Sequence, residues 1–537
     1  MQHRKRTLTF LLVMAMLALL LQACAGGGNA PANNTGNVPA NNAEGNNGGN
    51  NAGGNNGDEG NTTGADAAEL EPYEVSIIYY GTPERDVPLV EEKLSEYFQE
   101  KINATVKLVP ITGSEYKQRT ELMMNSGEKM DLVFTASWLD FFSNVTKGAF
   151  LELDDLLAEH GQGIQETISP LYLEAPRFEG KLYAVPTNKE ITQSKAFTYR
   201  KDIVEKYDIP IEEIKVNDDL MPWMQVIKEN EPDIIPNFVT GGGGDGIMYE
   251  SRSNYRPIGP TPAKIAAFFF DYTQTDSIEI KSALDPEIVK LNETEFELYR
   301  DFYEKGYTNG DAATSETAVS DVQRQGKMWL QRTVWKPGTD IEMSNSTNNE
   351  YEYVSQVIDE PIVTTDLATG SMFSISHTSK DPDRAMMVLN YLHTDPYVVN
   401  LLVHGIEDVH YKKVGDNRIE QIADSGYGKT ALFWVVGNQM LNYLKPGQPD
   451  DLYTNWIQYN KDATRSPLLG FVFDDTNVKN EVTQLTAIAT EYKAISTGGI
   501  ANPSELLDER NRKFELAGIE KVRAEIQAQV DAFLAEK

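Results

Sequence analysis

With one cysteine in 537 residues, this chain cannot form an internal disulfide, so its fold is held by burial alone. Six histidines and that single thiol leave little material for a transition-metal centre. His393, His404 and His410 cluster in sequence but lack the i, i+4 spacing of a helical zinc pair, and they read as surface or helix-end residues. Positive charge is scarce too: 48 Lys plus Arg stand against 81 Asp plus Glu, a net of −33. Such a surface repels nucleic-acid phosphates and anionic head groups, which argues against nucleic-acid partners and against a polybasic membrane patch. There is no Gly-x-Ser-x-Gly nucleophile turn, and the glycine run GGGGDG at 241–246 lacks the Gly-Lys-Ser/Thr end of a phosphate loop, so it reads as a turn. No cofactor and no metal are expected, and any ATP is left to a separate subunit.

What the chain does have begins at its one thiol. HRKR at 3–6 is a short basic segment, and residues 8–21 form an apolar run too short for a membrane span of about 20 residues. The run ends in Leu21-Gln22-Ala23-Cys24, which resembles a bacterial lipobox. On that resemblance residues 1–23 are a signal peptide and Cys24 is the site of lipidation. Acyl chains contribute about 0.8 kcal/mol per buried CH₂, so two or three anchor durably. The tract from 24 to 71 is rich in Asn and Gly with almost nothing to bury, and is expected to be a disordered tether. Over about 45 residues a flexible coil spans roughly 35–40 Å. The expectation is a globular body leashed to the outer face of the cytoplasmic membrane.

At this length two or three folded units are the prior. VSIIYY at 75–80 reads as a buried strand closed by Gly81-Thr82-Pro83. A helix opens at Pro88 and carries Val90, Leu94, Tyr97 and Phe98 on one face. TVKLV at 105–109, a polar helix from about Ser114 to Gly127, and DLVF at 131–134 complete a strand–helix alternation, the pattern of a parallel sheet covered by helices. In such sheets ligands lie beyond the carboxyl ends of strands, which singles out Tyr80 and Trp138; the latter reads equally as a sugar-stacking platform or a core tryptophan. KLYAVPTNKE at 181–190 runs from strand to loop through Pro186, suiting a crossing between lobes, and AFTYR at 196–200 reads as the next strand. TEFELYRDFYEK at 294–305 is helical, helices dominate from 382, and Pro503 opens two amphipathic helices. The second of these is seamed by Ile519, Val522, Ile526, Val530 and Phe533.

SGEKMDLVFTASW, NVTKGAFLELDDLL, FEGKLYAVPTNKE, WKPGTD and HGIEDVHYKKVGDNRIE together resemble the LplA-like lipoproteins, which are family 1 extracellular solute-binding proteins of ABC importers. FWVVGNQMLNYLKPG, SPLLGFVFD and the final helices resemble the extra domain those lipoproteins carry. The chain departs from the family pattern at one loop, where His404 and Asp408 stand in place of the usual Tyr and Gly. The resemblance implies an α/β, two-lobed periplasmic-binding-protein-like (type II) fold with a mostly helical C-terminal extension. On it, lobe 1 takes 72–192 and lobe 2 takes 193–365. Residues 366–426 return to lobe 1 through the hinge, and 427–537 form the extension. The implied partners are a small-molecule solute, usually an oligosaccharide, and the permease subunits of an ABC importer; a monomer is expected.

A sugar presents flat C–H faces and a rim of hydroxyls, which favours aromatic platforms with Asn, Asp, Glu and Arg around them. Tyr80 and Trp138 are expected to stack, Asn188 and Glu190 to bond hydroxyls beside the crossing, and Trp335 and Glu407 to complete the opposing wall. Trp335 also suits a turn anchor beside Lys336-Pro337-Gly338, and Glu190 and Glu407 also suit solvated carboxylates. A surface carbohydrate-active enzyme is the alternative reading. It needs two carboxylates about 5–5.5 or 6.5–9.5 Å apart, a demand that 81 acidic residues meet without specificity, so no enzyme is expected. A receptor for a peptide or signal molecule is a second alternative.

Overall fold

A computed structural model describes residues 70–241, 252–258, 267–275, 277–347, 349–430 and 432–537. The expected signal segment 1–23, Cys24, nearly all of the expected tether and the glycine run after Gly241 lie outside them.

The described chain opens with β1 (Tyr73–Tyr80), α1 (Val87–Ile102), β2 (Ala104–Ile111), α2 (Gly113–Ser126) and β3 (Leu132–Thr135). It leaves this lobe after β4 (Val185–Pro186) and enters the second at β5 (Ser194–Arg200), which is later joined by β6 (Leu330–Trp335) and β7 (Tyr353–Val357). It then returns through β8 (Ile362–Val363) to β9 (Met372–Ile375), α3 (Pro382–Thr394) and α4 (Pro396–His404). The last part holds α5 (Leu452–Asp462), β10 (Thr464–Arg465), α6 (Lys479–Tyr492), α7 (Pro503–Leu516) and α8 (Ile519–Glu536).

The first lobe is a five-stranded sheet in the order β2-β1-β3-β9-β4. β1 pairs in parallel with β2 and β3, as the strand–helix alternation requires, while β9 runs antiparallel to β3 and β4. α1 begins with Pro in its first turn and ends where Asn103 turns left-handed (φ 46°). It buries Val90, Leu94, Phe98 and Ile102 on one stripe. Each such side chain contributes about 1.5–3 kcal/mol on leaving water, so the stripe fixes which face meets the sheet. The core these residues enter also includes Leu432, Val435 and Val436, just past residue 426.

In the second lobe β5 is the centre of an antiparallel sheet, β6-β5-β7. Phe197 and Tyr199 point into a core with Trp329 and Phe302. Thr198, on the opposite face, bonds the hydroxyls of Thr333 and Ser355 across the sheet, each at 2.7 Å. The C-terminal helices add a separate core, in which Val482, Leu485, Phe514, Ile519, Val522 and Ile526 pack against Phe268 and Phe270 of the second lobe's other small sheet and against Ile280 beside it. The seam read along α8 is thus a packing surface.

Three chain passages join the lobes side by side. Gln193 bridges Ile362, and β8 pairs in parallel with β10. Asn460 of α5 clasps the first passage: its Oδ1 accepts from the Ile191 and Thr192 amides (3.1 and 3.2 Å), and its Nδ2 donates to the Lys189 carbonyl (2.9 Å). The reading of the three clustered histidines needs correction. His393 and His404 do end α3 and α4, but they and His410 are buried, because both helices pack their last turns into the first lobe's core.

Candidate functional site

The carboxyl ends of β1 and β3 deliver Tyr80 and, one turn later, Trp138 to the same place. Their rings meet edge to face with centroids 5.4 Å apart. Trp434 closes the group, 5.8 Å from Tyr80 and 6.4 Å from Trp138. Trp138 is pinned by its indole N–H, which donates to the Gly370 carbonyl (2.8 Å), yet the residue is 44% exposed. An indole held by one hydrogen bond and left open on a face is suited to receive an apolar surface. Trp434 was missed in the sequence because it follows β3 by some three hundred residues; the Phe433-Trp434 pair was its only signal.

Asn188 and Glu190 lie on the first passage after Pro186; Glu190 is buried, while Asn188 is half-buried and engaged by backbone of the first lobe. The Asn188 amide donates to Gly437 and its carbonyl accepts from Gln439, each at 2.9 Å, while its side-chain amide donates to the Thr167 carbonyl (3.2 Å). It fastens the passage to the first lobe. Glu190 is buried, with Lys336 Nζ 3.0 Å and Lys189 Nζ 3.2 Å from its Oε1. Burial alone would raise its carboxyl, but the two lysines hold it below the usual carboxylate range. Lys336 also lies 3.3 Å from Glu342 and 4.5 Å from the centre of the Trp456 ring. Glu190 therefore belongs to an ion cluster beneath the hinge that ties the first passage to the end of β6.

Trp335, the last residue of β6, does stand at an opening. Its ring meets Tyr459 edge-on at 5.8 Å, and both line a cavity of about 470 Å³ where β5 begins and β6 and β7 end. Arg256, Tyr272, Asp359 and Glu360 line the same cavity. Sequence reasoning missed these polar residues because no local motif marks them. The structure does not bring Glu407 to either group: it sits exposed in the turn after α4, paired with Lys413 at 3.2 Å.

The arrangement thus offers an aromatic wall on one lobe and a polar pocket on the other, each at strand ends next to the passages. Among the described residues one trio, Glu159, His160 and Asp383, gathers possible metal-ligand atoms, on helices at the surface of the first lobe. The His160–Asp383 contact of 3.2 Å accounts for it as a surface pair.

Comparison with known proteins matches residues 93–401 to the family described as "Bacterial extracellular solute-binding protein" and residues 467–535 to a "Domain of unknown function (DUF3502)". A "Carbohydrate ABC transporter substrate-binding protein" of Streptococcus pneumoniae is 26% identical over 457 residues, covering 82% of this chain and 87% of that one. The crystal structure of the N-glycan transport solute binding protein (NgtS) from Streptococcus pneumoniae superposes with a TM-score of 0.75 at 24% identity, covering 87% of this chain and 99% of that chain. Its complex with Man5GlcNAc gives 0.70 at 24% identity, with the same coverage of 87% and 99%. These likenesses bear out the two-lobed α/β fold.

Proposed function

This chain belongs to the bacterial extracellular solute-binding proteins, and on that premise we propose that it captures an oligosaccharide between its lobes and hands it intact to the permease of an ABC importer. The observation that carries this reading is the presence of two unlike surfaces at strand ends beside the passages: the Tyr80, Trp138 and Trp434 cluster on one lobe, and the polar pocket beside Trp335 on the other. A pyranose needs both. Its C–H face stacks on an indole, and its hydroxyls need donors and acceptors held in place. A ligand touching both walls favours the closed form by the contacts it makes in that form alone. The names of the relatives agree, since one carries "carbohydrate" and the other is solved with Man5GlcNAc.

The reading includes no bond cleavage. It also includes a lipid anchor: Cys24 carries acyl chains after removal of 1–23, and the Asn/Gly-rich tract leashes the body near its importer at high effective concentration. Titration of the chain with Man5GlcNAc in a calorimeter should give saturable heat, with a Tm rise that follows RT ln(1 + [L]/Kd) and the glycan recovered uncut. A shortened glycan would replace binding with catalysis, and silence toward a panel of oligosaccharides would end the carbohydrate assignment. Cys24→Ala should move the protein from the membrane fraction to the medium; retention on the membrane would remove the anchor from the scheme.

A further inference from the structure

We infer that Lys445 and Glu342, carried by different lobes, form a charge latch that engages when the lobes close and so slows release of the glycan; this rests on the oligosaccharide reading above. Lys445 is built onto the first lobe. Its amide donates to Gln448 Oε1 (2.7 Å) and its carbonyl accepts from Arg418 Nη1 (2.6 Å). Leu444 before it donates to the Asn417 carbonyl (2.9 Å) and accepts from the Ile419 amide (3.0 Å) of the hairpin at 411–421. The Tyr443 amide donates to Asn400 Oδ1 of α4 (2.8 Å), which ties this loop to the first lobe's helices. Glu342 sits on the short helix Thr339–Ser346, which follows the end of β6 in the second lobe. The two surfaces already meet. Asn345 Nδ2 donates to the Pro446 carbonyl (3.3 Å), and Gly447 borders Ile341 and Asn345. Lys445 comes just before that contact in the loop, and Glu342 lies one turn before it on the same helix face.

Each partner lacks what the other carries. Lys445 is half-buried, with Nζ 5.7 Å from the centre of the Phe433 ring, and among the described residues no acceptor lies within hydrogen-bond or ion-pair reach of it. An ammonium drawn out of water without an acceptor is costly, and burial lowers its pKa below the ordinary lysine value. Glu342 has one cation, Lys336 at 3.3 Å, and that lysine is shared with Glu190 at 3.0 Å. Burial pushes the Glu342 carboxyl up despite it. The Glu342 side chain is 32% exposed, so a second cation can reach it. Through Lys336 it is joined to Glu190 on the first passage, close to the axis about which the lobes turn, where a small rotation matches the reach of a flexible lysine stem. The latch touches no sugar. Its two members are positioning residues: they add a contact made in the closed form alone and so shift the population toward it.

The test is a double-mutant cycle on the full chain, read by calorimetry and by the rate of glycan release, with Man5GlcNAc as the probe. Lys445→Met and Glu342→Gln should each weaken binding about tenfold, mostly through faster release, and the double variant should lose no more than the worse single one. Lys445→Arg keeps the charge and should stay within about threefold of the natural chain. Without glycan, Lys445→Met should leave the urea midpoint unchanged or raise it, since the ammonium has no acceptor to lose; a lysine that only supports the fold would lower it. Should Glu342→Gln fail to fold, Glu342→Asp replaces it in the cycle, because it keeps a charge beside Lys336 while shortening the reach toward Lys445. Additive losses would mean that the two residues act separately, and full affinity in folded Lys445→Met would mean that the ammonium takes no part. Either result overturns the latch and leaves glycan capture standing. Absence of binding to any oligosaccharide overturns both.

Discussion

The two lobes are filled by different means. In the first, a five-stranded sheet and its helices enclose a core that is almost all hydrocarbon and aromatic, from Val75 and Ile77 through Phe98 to Leu432. Its buried carboxylate, Asp131, is satisfied by Tyr73 (2.7 Å), the Ser76 amide (2.8 Å) and Ser379 (2.6 Å). The second lobe has a sheet of only three strands, and it buries Glu295 against Arg252 and Asn217. Arg332 there donates to Asn217 (2.9 Å) and Asn237 (2.7 Å) and lies 5.3 Å from the centre of the Tyr299 ring. A wide sheet covered on both faces is filled cheaply with apolar side chains. A narrow one leaves room that is taken by polar groups, each dependent on its partners. The same division appears at the strand ends, where the first lobe gathers aromatic rings and the second gathers ions.

The sharpest way to break this contrast is to remove one partner of the second lobe's network. Glu295 is 1% exposed, and burial raises its carboxyl even with Arg252 and Asn217 beside it. Glu295→Ala leaves the Arg252 guanidinium with Asp218 alone and the Asn217 side-chain amide without its carboxylate, so urea unfolding should show a loss of about 3 kcal/mol. Phe98→Leu in the first lobe, a near volume-conserving change, should cost less than about 1.5 kcal/mol. Comparable losses would erase the distinction.

The first lobe has its own exposed flank, which is acid. Burial holds His404 down to about 3, helped by the charge of Lys445, and burial alone does the same to His393. His404 lies between Tyr443 and Tyr411, with ring centroids 6.3 Å from each. Because the ordinary value is near 6.5, the unfolded chain takes up a proton in the window from about 6.5 to about 3 that the folded chain refuses. Stability is therefore complete above that window and falls as pH drops through it, by about 1.4 kcal/mol per unit for each histidine. His404→Phe should remove about one proton's worth of slope between pH 6.5 and 5, measured by denaturant melts. An unchanged slope would mean the imidazole titrates in place.

Which parts of this could be read from the sequence follows from range. The positions of Tyr80 and Trp138 were legible because one ends a strand and the other comes three residues after one, both strands having a local pattern, and the sheet rule then places both at one end. Trp434, Arg256 and Asp359 were not, since their places depend on chain passages far from their neighbours in space. Glu190 lies on the passage where it was expected, but nothing local announces that Lys336, itself set over the Trp456 ring, pairs with it and buries it. The helix read at 294–305 runs from Pro286 to Glu304, and the Asp285-Pro286 start signal marks its true beginning. The departure at Asp408 also has a local cause: its φ is 62°, the left-handed region where Gly is the usual occupant and Asp is tolerated.

The aromatic wall gives a smaller effect than the pH slope, but a more specific one. Trp138→Ala removes a half-exposed ring, so its stability cost should stay near 1 kcal/mol while glycan affinity drops about tenfold. Arg256→Met, on the polar wall, should weaken binding of the same neutral glycan through a lost hydrogen bond, read by calorimetry. Full glycan affinity in folded Trp138→Ala would show that the aromatic wall takes no part.

The smallest effect belongs to Glu407. Its carboxylate is 46% exposed and its Lys413 partner 38% exposed, at 3.2 Å. Pairs of this kind contribute about 0–1 kcal/mol because water and salt screen them. It stands apart from Tyr80, Trp138 and Trp335, on a turn stabilised instead by the His410 Nδ1 contact with the Ile406 amide (2.9 Å). Glu407→Ala should therefore leave urea midpoints and glycan affinity within about twofold of the natural chain. A tenfold loss of affinity with unchanged stability would carry the ligand across to the turn after α4, and would add a charged contact to the lobe whose wall is otherwise aromatic.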